Sequence, residues 1–294
     1  MSERINVLKT YKIFIGGKFP RTESGRYYQP KINGKAIGNI CLSSRKDVKN
    51  AVVSARSAFE KWSGATAFNR SQILYRIAEM IEGRKTQFVD ELILQGESQK
   101  AAEKEVDLTI DRVIYFAGWA DKVNQVFGSV NPVATSHFNF SMLEPTGVVG
   151  IVAPENYSLL GLISCLCPVI ISGNTCVLFA SESKPLCSVT LAEVLATSDV
   201  PAGVVNILTG QKTETVPHIG KHMDVNAVYL ADLDSKFKES LRLDAVDNLK
   251  RIIVAKEENW DTIQSENPYI ITSFMETKTT WHPIEIISAS GSGY

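Results

Sequence analysis

The sequence has no surplus of either charge: Lys and Arg number 31, Asp and Glu 32. Without a basic excess nothing can neutralise a run of backbone phosphates, so nucleic-acid binding is excluded from the expected functions. Cysteine is scarce. Cys41, Cys165, Cys167, Cys176 and Cys187 are odd in number and sit mostly in apolar runs. That argues against a disulfide framework and for reduced thiols in a cytoplasmic protein. Cys165 and Cys167 lack the second ligand pair of a zinc site, and His218 and His222, four apart, lack completing ligands. The start MSERINVLKT has no apolar core, so no secretory leader is expected. Residues 156–181 carry no charge and are long enough to span a bilayer, but Pro168 and the Gly173-Asn174 pair divide them. A helix, a turn and a buried strand are expected there instead of a membrane span. Internal repeats and low-complexity linkers are also missing.

What is present is periodic. Residues 46–62 space Val48, Val52, Ala55 and Phe59 along one helical face, with Ser44 placed to cap it. Residues 69–83 put Ile73, Leu74, Ile77 and Ile81 on one side of a second helix, and further helix is expected over 86–94 and 100–123. Residues 11–30 read as short extended pieces, and 125–142 alternate around Gly128 and Asn131-Pro132 as a β-hairpin would. From 148 onward strand and helix signals alternate. Strands are expected at 148–153, 176–180, 204–208, 227–230 and 251–255, with helices at 159–172, 188–196, 213–221 and 235–243. Such alternation builds an α/β fold, a parallel sheet with helices on both faces. Residues 269–288 read as a β-tail, and the final GSGY as a flexible end.

Several ordered motifs then resemble one family. EPTGVVGIVAPEN, SGNTCVLFASESKP and VPAGVVNILTG resemble the nucleotide-binding domain of aldehyde dehydrogenases. FIGGKF, AVVSARSAFEKWS and VIYFAGWADKV match its N-terminal part in order, and SFMETKTTWHP its oligomerisation strand. The resemblance implies a Rossmann-like nucleotide-binding unit formed by residues 1–124 and 143–262. It also implies a small β oligomerisation flap formed by 125–142 and 263–294.

The departures shape the functional reading. After Val254 the chain passes almost directly to the tail, where the family inserts a catalytic domain holding a cysteine nucleophile and a glutamate base. Thioester chemistry needs both groups, so no catalytic residue is assigned. Pro154-Glu155-Asn156 stands at the family's Pro-Trp-Asn, and Asn156 is expected to cap a helix start. Phe179 replaces the lysine that contacts the adenosine ribose, leaving Glu182 as a ribose acceptor. Asp232 replaces a phosphate-loop glycine, Lys212 replaces another glycine, and Cys165 stands where a lysine is found. Pro154, Asn156 and Glu182 are thus vestigial cofactor-binding positions, and Phe179 and Asp232 disfavour NAD(P).

The expectation is a non-catalytic subunit that docks its flap on a full-length aldehyde dehydrogenase or on itself. It would resemble the degenerate second module of class 16 aldehyde dehydrogenases. The alternatives are an NAD(P)-dependent aldehyde oxidoreductase, a nucleotide-binding sensor, or a decayed product.

Overall fold

The computed structural model describes residues 7–231, 235–255 and 259–284. Short strands come first: β1 (Thr10–Tyr11), β2 (Tyr27–Tyr28), β3 (Lys31–Ile32), β4 (Lys35–Ala36) and β5 (Asn39–Cys41). Helices α1 (Arg45–Ser63), α2 (Ala67–Gly83), α3 (Lys85–Leu94), α4 (Gln99–Ala117) and α5 (Val123–Phe127) follow, then strands β6 (Ser129–Asn131) and β7 (His137–Pro145). The alternating half comprises β8 (Val148–Val152), α6 (Leu160–Ile171), β9 (Thr175–Phe179), α7 (Leu186–Ala196), β10 (Val205–Leu208), α8 (Lys212–Lys221), β11 (Ala227–Leu230), α9 (Ser235–Asp244) and β12 (Arg251–Val254). A turn of helix, α10 (Tyr269–Thr272), leads into β13 (Met275–Pro283).

Local chemistry explains the helix starts. Asp47 in the first turn of α1 accepts the Ser44 N–H at 2.8 Å. The Thr66 hydroxyl accepts the Asn69 N–H at 3.1 Å, and the Ser98 hydroxyl accepts that of Ala101 at 3.3 Å. Each contact satisfies a backbone group that the helix itself leaves unpaired.

The main sheet is parallel, in the order β10-β9-β8-β11-β12. Its strand residues alternate between two cores. Val149, Ile151, Cys176, Leu178, Val205, Ile207 and Tyr229 join one cluster with α6, α7, α2 and α4. Val148, Val152, Val177, Phe179, Leu208, Val228 and Leu230 join the other with α1, α8 and Leu241 of α9. Helices therefore cover both faces, which is why the strands read as near-continuous apolar runs. Trp62 Nε1 donates to the Ile170 carbonyl at 3.0 Å and Arg70 Nε to that of Ile171 at 2.9 Å, satisfying the end of α6 from α1 and α2.

Three expectations need correction. The helix expected over 100–123 stops at Ala117, with Gly118 as its cap. The hairpin expected over 125–142 begins later. Residues 123–127 are helical, and this places Phe127 against Trp119 and Tyr269, at centroid separations of 6.2 and 5.3 Å. Ring packing won over a weak alternating pattern. The tail expected over 269–288 opens with α10, because the helical turn buries Ile271 and brings Phe274 beneath Tyr229, ring centroids 5.3 Å apart. Residues 285–288 and the GSGY end lie outside the described residues.

A second sheet, in the order β13-β7-β6, is antiparallel. All nine residues of β13 pair with β7, from Met275 opposite Pro145 to Pro283 opposite His137. Phe138, Phe140 and Met142 alternate onto one face and Asn139, Ser141 and Leu143 onto the other. The second face carries a polar ladder: Asn131 Nδ2 donates to Asn139 Oδ1 at 2.6 Å and to Ser141 Oγ at 2.9 Å. Among the described residues no helix is long and apolar enough to cross a membrane.

Candidate strand-end site

Open α/β sheets bind ligands beyond the carboxyl ends of their strands, where the strand order reverses. Here β8 and β11 flank that point. Residues 153–156 leave β8, 180–183 leave β9 and 209–211 leave β10, so the sequence-expected positions Pro154, Asn156 and Glu182 come to the same end of the sheet.

The centre of this end is Glu155. One of its carboxylate oxygens accepts hydrogen bonds from the Ser181 hydroxyl at 2.7 Å, the Ser183 hydroxyl at 2.7 Å and the Ser183 N–H at 3.1 Å. The other accepts from the Glu182 N–H at 3.1 Å and from the Lys212 ammonium. Lys212 Nζ also donates to the Ala153 carbonyl at 2.8 Å, and its side chain is only 6% exposed. Burial pushes the Glu155 carboxyl up, but the charge of Lys212 and the converging donors outweigh it and hold the group at about 2.

Two further carboxylates occupy helix starts. A Glu182 oxygen accepts the Lys212 N–H at the first turn of α8. Glu105, reaching across from α4, accepts the N–H groups of Leu159 at 2.9 Å and Leu160 at 3.2 Å at the start of α6. Burial raises the Glu105 carboxyl above the ordinary carboxylate value; the two backbone donors pull the other way. A helix N-terminus favours negative charge, and here the chain supplies that charge itself.

The remaining expected positions play other parts. Asn156 is exposed and is not the cap of α6; Leu159 holds the cap position, and Glu105 takes the amides that Asn156 was expected to serve. Pro154 is buried against the first turn of α6, where any side chain at Gly161 would come within 2.5 Å of Pro154 Cγ. The Phe179 ring is buried in the cluster of α1 and α8. Asp232 lies outside the described residues.

The five cysteines are all free and buried. Burial pushes the Cys167 thiol up to about 12 and raises those of Cys176 and Cys187 as well. A thiol held in its neutral form is a poor nucleophile. His218 lies on α8 and His222 caps its end; among the described residues no three His, Cys, Asp or Glu side chains gather as a metal site.

The model of the aldehyde dehydrogenase family matches residues 19–253. The chain belongs to the aldehyde dehydrogenase family. It is 29% identical over 257 residues to cytosolic 10-formyltetrahydrofolate dehydrogenase of Mus musculus, a match covering 85% of this chain and 28% of that protein. It is 32% identical over 223 residues to D-glyceraldehyde dehydrogenase (NADP(+)) of Thermoplasma acidophilum, covering 74% of this chain and 44% of the other. Among solved structures, the NAD+ complex of aldehyde dehydrogenase from Bacillus cereus aligns with a TM-score of 0.79 at 25% identity, covering 84% of this chain and 50% of that one. The chain therefore spans under a third of the mouse protein and half of the Bacillus one.

Within this aldehyde dehydrogenase-family fold the donors of 181–183 and Lys212 are already engaged. A dinucleotide would have to displace Glu155 from five donors while bringing negative charge beside Glu155 and Glu182. As they stand, the described 181–183 loop and Lys212 do not fit a nicotinamide dinucleotide. Sequence reasoning rested its expectation on Phe179, whose ring lies in the core, and on Asp232, outside the described residues, and passed over Glu105 and the pairing of Glu155 with Lys212. The sequence carries a signal for the pair: a carboxylate and an ammonium stand at two positions where the family motif has a tryptophan and a glycine.

Proposed function

We propose that this chain is a non-catalytic aldehyde dehydrogenase-family subunit that assembles with a full-length aldehyde dehydrogenase, using the sheet of β6, β7 and β13 as its docking element. In this reading residues 1–124 and 143–262 make the nucleotide-binding-type unit, and 125–142 with 263–294 supply the flap. The observation that carries the reading is β13. It lies beyond the family-matched residues 19–253, yet pairs with β7 along all nine of its residues and is an edge strand among the described residues. An open edge strand is a template for pairing with another chain. Trp281 is 58% exposed and Phe138 45%, and Met142 and Val130 are exposed beside Phe138 on the first face. Phe274, just before β13, is fully buried in this chain's own core and is not part of the docking face. The engaged strand-end donors and buried thiols also support a non-catalytic part.

The test is co-purification with a full-length aldehyde dehydrogenase of the same cell. The cut must begin after Met275, because Ile271, Phe274 and Met275 belong to the core. Removal of residues 277–294 is expected to leave a folded chain that no longer co-purifies. Undiminished association of that variant removes β13 as the docking element; NADH production from an aldehyde by the isolated chain removes the non-catalytic reading.

A further inference from the structure

One cluster of charged side chains lies apart from both the strand-end site and the flap. A cleft of about 520 Å³ runs between the start of α1 and the end of α8, and Arg45, Lys49, His218, Lys221 and His222 line it. Among the described residues no carboxylate lines it, although Lys and Arg number 31 against 32 Asp and Glu over the whole chain. A cleft of this size is within the range of small-molecule sites. We propose that it binds a small, multiply charged oxyanion of the phosphate-ester class, held by Arg45 and Lys49 from α1 and by His218, Lys221 and His222 from α8.

Packing brings these like charges together. Val48 and Val52 of α1 and Val216 and Ile219 of α8 are fully buried in one cluster, which holds the two helices side by side. Arg45 and Lys49 stand one turn apart on α1, and His218 and His222 one turn apart at the end of α8, so each pair faces the same way. Helix stability accounts for only part of the set. His218 and Lys221 answer the negative end of α8, where cations are favoured. Arg45 opens α1, at the positive end of a helix, where a cation is disfavoured. Neither Arg45 nor Lys49 makes a hydrogen bond or ion pair among the described residues. An anion between the helices removes the cost of both placements. Two acids act at the margin: Asp224 pairs with Arg56 at 4.0 Å and Asp244 meets Lys221 at 3.8 Å, and the exposure of Lys221 makes the second pair weak. Burial lowers both histidines below their ordinary value; Arg45 and Lys221 lower His218 further, while Lys250 and Lys49 lower His222 against the opposing pull of Asp224. Both rings are therefore neutral at pH 7.5. His222 Nδ1 accepts the Asp224 N–H at 3.3 Å, which puts the proton of the neutral ring on Nε2 as a donor. A seated anion favours the protonated rings, so its affinity rises as pH falls towards 6. None of residues 153–156, 180–183 or Lys212 lines the cleft, and the inference is independent of the proposed assembly.

The test is calorimetric titration of the whole chain with pyrophosphate, ionic strength being held constant with sodium chloride. Saturable binding is expected for the wild-type protein at pH 7.5. Arg45→Ser combined with Lys49→Ser is expected to weaken it about tenfold or more. That variant is also expected to melt no lower than wild type, because it takes a cation away from a helix start. Lys61→Ser combined with Lys100→Ser removes the same charge from exposed positions outside the cleft and is expected to change the affinity by less than about twofold. His218→Gln combined with His222→Gln is expected to bind within about twofold of wild type at pH 7.5 and about threefold or more weakly than wild type at pH 6. The ligand's own protonation cancels in that ratio. No saturable binding by wild type, equal weakening by the two pairs of α1 and control substitutions, or a histidine ratio that is the same at both pH values overturns the proposal.

Discussion

Strands β9 and β13 are each paired along their full length, yet one is wholly buried and the other almost wholly on the surface. All five residues of β9 are buried between two helical layers, while β13 buries only Met275 of its nine. The difference separates a finished part of the molecule from an unfinished one. The parallel sheet has its faces covered, and among the described residues the donors of 181–183, Lys212, Leu159 and Leu160 are filled by the chain's own carboxylates. The antiparallel sheet relies on backbone pairing and a polar ladder, and among the described residues β13 is an edge strand.

The sharpest contrast is in packing. Leu178→Ala in β9 removes a fully buried side chain from the larger core and is expected to cost about 3 kcal/mol of unfolding free energy, measured in urea. A loss below about 1 kcal/mol would mean that the core relaxes around the void, and the contrast with the flap would fail.

A second expectation concerns acid. The Glu155 carboxyl lies near 2 in the folded chain against an ordinary value of 4.5. Its contribution is therefore fully present above about pH 4.5 and is lost as pH falls towards 2. Because the side chain is partly exposed, the contribution is roughly 2 kcal/mol. The stability gap between wild type and Glu155→Gln should be widest near pH 6 and shrink as pH falls from 4.5 to 3. Glu105, raised by burial, works in the opposite sense: its stabilising part is present at low pH and lost as pH rises through its folded value. A gap that stays constant with pH would mean that charge on Glu155 is irrelevant to the fold.

The smallest effect belongs to the flap. Trp281 makes a T-shaped contact with His137, at a 5.8 Å centroid separation, and is 58% exposed. Trp281→Ser is expected to change the stability of the isolated chain by less than about 1 kcal/mol. A larger loss in a urea titration would show that the flap is part of the same cooperative core and would erase the distinction.

Much of the fold could be read without coordinates. The helices of 45–63, 67–83 and 85–94 and the five parallel strands stand within one or two residues of where periodicity placed them. Expectations failed at short aromatic segments. At Phe127 and at Tyr269–Thr272 a single helical turn was favoured because it packs rings or buries Ile271, a reward that comes from distant residues. The candidate site was partly legible: Pro154, Asn156 and Glu182 come together beyond the carboxyl ends of β8 and β9, but the capping role expected of Asn156 belongs to Glu105.

The sequence by itself determined the parallel sheet, its two helical layers and the family, because those follow from repeating local patterns of apolar residues and from motifs contiguous in the chain. Only the tertiary structure decided what fills the strand ends. Glu155 meets Lys212 from 57 residues away and Glu105 meets Leu159 from 54. Local pattern cannot show such meetings, because a carboxylate's partner is set by which strands lie side by side, and that order exists only once both cores have formed.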